Sequence, residues 1–242
     1  MKESRNDMIK KLGYSSEENM NEMDWHWISH RGDLTEEIIR EFKEKLDWEI
    51  LIIKNDFSEK FIIEHIKYNK KEISKHIKLT MKFIEKNKHL LKWDFVSKYQ
   101  VLSEAALKKF EKYVNWDEIS RHQRLSESFM REYSHKINWD EISQTQKLSE
   151  EFIRDYSERV RWWHISTNQK LSETFINEFK HRIPYENLLL NKNIPFSYVK
   201  KNLLKFQTDS LENDYIMGRF SESEKSDLKK ILKIKNMFIA TK

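Results

Sequence analysis

His26 and His30 stand four residues apart in H-W-I-S-H, a spacing that puts two imidazoles on one helix face, where a metal ion can sit. The glutamate of an H-E-x-x-H centre is missing, so the pair reads as two surface histidines. Asp117-Glu118 and Asp140-Glu141 offer paired carboxylates, the requirement for general acid–base work. Their recurrence in one register argues instead for first-turn helix charges, where the backbone dipole favours acids. No glycine-rich phosphate loop or G-x-S-x-G elbow is present, and the lack of cysteine removes thiol chemistry and disulfides. The expected catalytic, cofactor and metal sets are therefore empty, and the chain is expected not to be an enzyme.

Binding chemistry is better represented. Residues 70–92 carry eight lysines (70, 71, 75, 78, 82, 86, 88 and 92) against Glu72 and Glu85, a net +6 that exceeds the +5 of the whole chain. Such a cluster suits an acidic protein surface or a phosphate backbone. Residues 139–161 carry a net −2, so no continuous basic groove is expected. Tryptophans and glutamines recur at fixed intervals. The tryptophans can serve as stacking platforms for bases or sugars, or as buried wedges between units. The second reading is favoured because each shares an apolar stripe with Ile or Val. Gln100, Gln123, Gln146 and Gln169 can line a surface, but are expected to satisfy free backbone groups where helices join.

The elements that position these residues are repeats. Trp25, Trp48, Lys70, Trp93, Trp116, Trp139, Trp162 and Tyr185 head eight units spaced 23 residues apart, with one step of 22. A period in this range marks a stacked repeat protein. Within a unit, Asn138 and Glu141 read as a capping box opening a short helix over 138–145, and Ser149 reads as the N-cap of a second helix over 149–159. Phe152, Ile153, Tyr156 and Val160 then make a helical apolar stripe. The small serine that recurs four residues into the short helix (Ser29, Ser74, Ser97, Ser120, Ser143, Ser166) is expected to admit a neighbouring helix closely. Gly32 takes the place of the glutamine in the first unit and suits a helix stop. Helices this short need neighbours to persist. The expected fold is therefore all-α: an α-solenoid of about eight two-helix repeats over 25–206, with a helical cap at 1–24 and a capping helix region at 207–242. In that last region Ser221-Glu222-Ser223-Glu224 is a capping box preceded by Phe220 as a hydrophobic staple, and Leu228, Ile231, Leu232 and Phe238 form a stripe.

Partner contacts are expected where the repeats disagree. The end of each short helix varies: Lys75-His76, Lys98-Tyr99, Arg121-His122, Gln144-Thr145, Thr167-Asn168. The candidate contact set is Lys70, Lys71, Lys75, Lys78, Lys82, Lys86, Tyr99 and His122. No apolar run is long enough to span a membrane and no signal peptide is visible, so a cytoplasmic chain without a membrane contact, monomeric, is expected.

The phrase W-x-x-I-S-x-x-Q-x-L-S-E-x-F-I-x-x-Y/F, read over Trp116–Trp139 and Trp139–Trp162 with Met130 in place of Ile in the first, resembles the short helical repeats of uncharacterised bacteriophage and large DNA virus proteins. That resemblance implies a viral or prophage origin. It also implies an interaction protein that binds or inhibits a host protein or nucleoprotein complex, such as an antiviral defence component. The alternative is a solenoid that binds nucleic acid through lysines 70–92.

Overall fold

In the computed structural model, residues 3–66, 69–206 and 214–240 are described, the side chain of Phe238 lying outside them. The chain forms two compact units, 1–123 and 124–242. All regular elements among the described residues are helical. The first unit opens with α1 (Arg5–Lys11), followed by the pairs α2 (Glu22–Ser29) with α3 (Glu36–Phe42), α4 (Trp48–Lys54) with α5 (Glu59–Ile66), α6 (Lys70–His76) with α7 (Met81–Asn87), and α8 (Trp93–Tyr99) with α9 (Glu104–Lys109). It closes on α10 (Trp116–His122). The second unit holds α11 (Glu127–Glu132), α12 (Trp139–Thr145) with α13 (Glu150–Asp155), α14 (Trp162–Asn168) with α15 (Glu173–Glu178), and α16 (Tyr185–Leu190) with α17 (Phe196–Lys201). It ends in α18 (Asp214–Met217) and α19 (Glu222–Ala240). In each unit the first helix of one repeat packs beside that of the next: α2, α4, α6, α8 and α10 in the first, α12, α14 and α16 in the second. Each unit is thus an α-solenoid array with a 23-residue register.

The predicted serine caps form: Phe152 N–H donates to Ser149 Oγ (3.1 Å) and Phe175 N–H to Ser172 Oγ (3.1 Å). The capping box is complete at α2, where Asn21 and Asp24 bond reciprocally (3.1 and 2.8 Å), but only half used at α10. Asn115 Oδ1 accepts from Asp117 and Glu118 N–H (3.0 and 3.3 Å), but Asn115 N–H goes to Ser97 Oγ (2.9 Å) of the preceding repeat rather than to Glu118. The serine is therefore more than small. Ser143 donates to Trp139 O (2.6 Å) and accepts from Arg161 N–H (2.9 Å), so each hydroxyl ties its helix to the start of the next repeat. The glutamines act as expected. Gln123 Nε2 donates to Ser97 O (2.9 Å) and Gln100 O (2.8 Å), while its Oε1 accepts from Leu102 N–H (3.1 Å). One carboxamide thus serves three backbone groups left open at the end of the preceding short helix.

Three expectations differ in detail. The second helix stops at Asp155 rather than 159, because Tyr156 leaves helical ψ (28°) and a turn follows in which Arg159 and Val160 N–H bond to Tyr156 O (2.8 and 3.0 Å). Gly32 is not a left-handed stop, since among the described residues Gly13 is the glycine with positive φ; a Cβ at Gly32 would lie 3.1 Å from Lys54 O, a tight approach that would push the facing backbone by a few tenths of an ångström. Finally, Phe152, Ile142 and Ile153 are fully buried, but Trp116, Trp139 and Tyr156 are only half-buried. The Trp139 ring lies over Phe152 and Tyr156 (centroids 6.1 and 4.7 Å) under the Arg159 guanidinium, and its N–H reaches Ser134 O (3.1 Å). A polar N–H that must meet a loop carbonyl keeps the indole at the rim. Trp139→Ala should therefore cost about 2 kcal/mol, below the 3–5 of a fully buried ring, read by urea denaturation.

Both ends carry polar locks. At the N-terminus Arg5 donates to Glu17 (2.7 and 2.9 Å) and Glu41 (2.5 Å), and Lys45 lies 2.7 Å from Glu17. Arg5 first, then Lys45, hold the Glu17 carboxyl down at about 2. A value depressed on folding gives stability that is complete above the unfolded value and is lost as pH falls through the folded one. The wild-type melting temperature should thus fall more steeply than that of Glu17→Gln between about pH 4.5 and about pH 2; parallel curves would remove this role. At the other end Ser221 and Glu224 complete a reciprocal capping box (2.8 and 3.3 Å). Phe220 meets Phe196 edge-on (5.6 Å) instead of stapling α19, whose fourth residue is Lys225. Leu228 and Leu232 are buried, Ile231 is half-buried, and Arg219 donates to Leu188, Leu189 and Ile194 carbonyls (3.2, 2.6 and 2.5 Å), fastening this segment to the eighth repeat.

Candidate interaction surface

The third repeat is built by the same rules as its neighbours. Ile73 and Ser74 of α6 and Phe83 and Ile84 of α7 are buried, and Thr80 caps α7 by accepting from Phe83 N–H (3.1 Å). Burying these residues turns the lysines outward. Lys71 lies 3.4 Å from Glu72 and its ammonium stands over Phe95 (5.9 Å); Lys75 is 4.0 Å from Glu49. Lys78, Lys82, Lys86 and Lys92 are exposed, Lys70 is half-buried, and none of these five ammonium groups has an acidic partner among the described residues.

Several basic side chains of the repeats are paired in register. A second-helix arginine meets an acid of the following second helix in Arg40–Glu64 (2.7 Å), Arg131–Asp155 (2.5 Å) and Arg154–Glu178 (3.0 Å), and Glu85–Lys109 (2.6 Å) is the same rung with the signs exchanged. In that register Lys86 stands where the acid belongs, and the position opposite is Ile63. In some repeats a second rung joins the residue before the short helix to an acid of the preceding short helix, as in Arg161–Asp140 and Asn115–Asp94 (2.8 Å). Lys92 holds the first of these positions and Lys71 the second, so two like charges face one register. At the third repeat the first rung is lost toward the second repeat, where Lys86 faces Ile63, but is kept toward the fourth by Glu85–Lys109, and in the second rung Lys92 faces Lys71.

The candidate lysines are divided between two helices and the turn that joins them. Lys70, Lys71 and Lys75 lie on α6 in the row of first helices, while Lys82 and Lys86 lie on α7 in the row of second helices, with Lys78 on the turn between. Tyr99 and His122 end α8 and α10 in the same row as α6. Tyr99 is exposed, parallel to Phe95 (centroids 6.1 Å) with Lys98 over its ring (5.3 Å). His122 Nε2 lies 3.2 Å from Glu118. Beside Lys78 a cleft of about 440 Å³ opens between the second and third repeats, lined by Ile53, Asn55, Phe57, Ile77 and Lys78 among others. It lies where Ile77 replaces the glutamine that ties other repeats together, and the buried Asn55 Oδ1 there has no hydrogen-bond partner among the described residues.

His26 and His30 pack edge to face (4.7 Å), with His30 Nδ1 held at 3.0 Å from His26 O, which does not aim two ring nitrogens at one point. Sequence reading passed over a different convergence. Ligand atoms of Glu49, Glu72 and His76 lie within 4.8 Å of one another. They come from two repeats, so no linear motif marks them; the one local signal is Glu72 four residues before His76 on one helix. No helix among the described residues is long and apolar enough to cross a membrane. Comparison with protein-family models, curated proteins and solved structures gives no match.

Proposed function

We propose that the chain is a non-enzymatic interaction module, encoded by a phage, that binds and inhibits a host protein or nucleoprotein complex such as an antiviral defence component. The lysines of the third repeat meet carboxylates or phosphates of that partner. One observation carries this reading. Positions that carry polar rungs in other repeats hold Lys86 opposite Ile63 and Lys92 opposite Lys71 here, while Glu85 keeps its rung with Lys109. Such replacements bring no stability to the folded chain, and local rules broken without an internal gain are characteristic of binding surfaces. A repeat array offers an extended surface that needs no catalytic cleft. The phage origin rests on the resemblance of the repeat phrase alone.

Affinity capture from a bacterial lysate, with and without nuclease, identifies the partner and shows whether nucleic acid bridges it. Reversing Lys78, Lys82 and Lys86 to Glu should weaken capture at least about tenfold and leave helical content unchanged. The control reverses Lys147, Lys170 and Lys180, which are exposed in the other unit; Arg154 and Arg161 are unsuitable because internal ion pairs hold them. Equal loss from both sets would reduce the effect to nonspecific attraction. Direct binding of duplex or single-stranded nucleic acid that weakens steeply with salt would favour the nucleic-acid reading, since neutralised phosphates release counterions.

A further inference from the structure

We propose that Glu49, Glu72 and His76 form a site for a divalent cation of the zinc class, joining the second repeat to the third. Glu72 and His76 project from one face of α6, with Oε2 and Nε2 3.6 Å apart. Glu49 reaches the same point from α4, which packs beside α6. Ligand atoms held about 2.0–2.2 Å from a tetrahedral ion sit about 3.3 Å from each other, so the Glu72–His76 pair needs almost no adjustment. Glu49 is 57% exposed and free to close the remaining gap.

A second observation concerns the same two atoms. Glu72 Oε2 and His76 Nε2 are both buried, and beyond their own 3.6 Å approach neither has a hydrogen-bond partner among the described residues; Glu118 Oε2 of the fifth repeat is left in the same way, but there the histidine nitrogen is not. Leaving two such atoms unserved is costly, and a shared ion satisfies both. The neighbouring cations do not fill this place: Lys71 lies 3.4 Å from the other oxygen, Oε1, of Glu72, and Lys75 is 4.0 Å from Glu49. The fifth repeat supplies an internal comparison. Glu118 and His122 repeat the α6 pair at 3.2 Å, but the acid in the place of Glu49 is Asp94, which accepts from the Asn115 side chain (2.8 Å). In the third repeat Asn69 stands at that asparagine position without a side-chain capping bond, and Glu49 is not held by it.

The position also gives the ion a purpose. The third repeat lacks the glutamine that ties the fourth to seventh repeats to the one before, and the ion supplies a cross-link between the same two helices. One imidazole with two carboxylates selects borderline ions such as Zn²⁺ over Mg²⁺, which prefers an all-oxygen shell. Two carboxylates balance the ion's charge, and the fourth coordination position stays open to water. This assignment is independent of the partner reading.

The test is calorimetric titration of the chelator-treated full chain with Zn²⁺, followed by thermal melting at each zinc concentration. The expected result is a saturable site at one ion per chain and a melting temperature that rises with zinc and returns with chelator. Glu49→Gln, at an exposed position that cannot disturb folding, and His76→Gln should each weaken zinc binding at least about tenfold. His122→Gln should leave binding unchanged, and Mg²⁺ at equal concentration should give no comparable heat. The proposal is overturned if the wild-type chain shows no saturable zinc binding. It is equally overturned if binding survives His76→Gln and disappears with His30→Gln, which would move the ion to the His26–His30 pair.

Discussion

Gln169→Leu should lower the stability of the unit formed by 124–242 by about 3 kcal/mol, although leucine nearly matches the volume of glutamine. Gln169 is buried, and its carboxamide accepts from Leu148 N–H (3.1 Å) while donating to Ser143 O (3.3 Å) and Gln146 O (2.8 Å). The substitution removes all three bonds at once. The Leu148 N–H is buried and keeps no partner, and two carbonyls lose their donors. Each orphaned buried group costs about 1–3 kcal/mol, whereas the apolar replacement recovers only part of that through burial. Gln169→Glu is the discriminating companion. It keeps the acceptor for Leu148 but turns a carboxylate toward two carbonyl oxygens, so it should be no better than leucine. Urea denaturation read by tryptophan fluorescence checks both. A midpoint unchanged by Gln169→Leu would show that water serves these backbone groups as well as the carboxamide does.

The repeat register was legible because structure, unlike function, recurs. Ser149 and Ser172 announce their helices by capping chemistry, and the glutamine reading followed from the free backbone groups that any helix end leaves. The tryptophan is less deeply buried than its size suggests for a physical reason: its N–H, bound to Ser134 O in the case of Trp139, holds it at the rim. The early end of α13 left no mark either, since Val160 is still buried after the turn and keeps the spacing of a helical stripe. The candidate surface was visible as composition but not as geometry. Eight lysines in 23 residues are plain in the sequence, yet their division between α6 and α7 and the like-charged Lys71–Lys92 register emerge only once the rungs are known from Arg161–Asp140 and Arg154–Glu178. Glu49, Glu72 and His76 were hidden more deeply, because a site assembled from two repeats has no contiguous signature.

Ser143→Val should be the most damaging single-atom-scale change in the same unit, costing about 4 kcal/mol, while Ser143→Ala should cost about 1–2. Two explanations of the recurring serine are separable here. Size alone would make alanine harmless, because alanine is smaller still. The hydroxyl, however, accepts from Arg161 N–H (2.9 Å) and donates to Trp139 O (2.6 Å), and Ser143 is fully buried between α12 and α14. Alanine loses the acceptor for Arg161 N–H, so it carries the hydrogen-bond part of the cost. Valine loses the same bond, puts one methyl in place of the hydroxyl and adds a second between packed first helices, which forces the helices apart or the side chain off its preferred rotamer. The difference between the two variants therefore measures the closeness of packing, and the alanine value measures the tie between repeats. Equal losses would assign the serine wholly to hydrogen bonding. A neutral alanine variant together with a damaging valine would assign it wholly to space, and the hydroxyl at Ser29, Ser74, Ser97 and Ser166 would then need another reason for its recurrence.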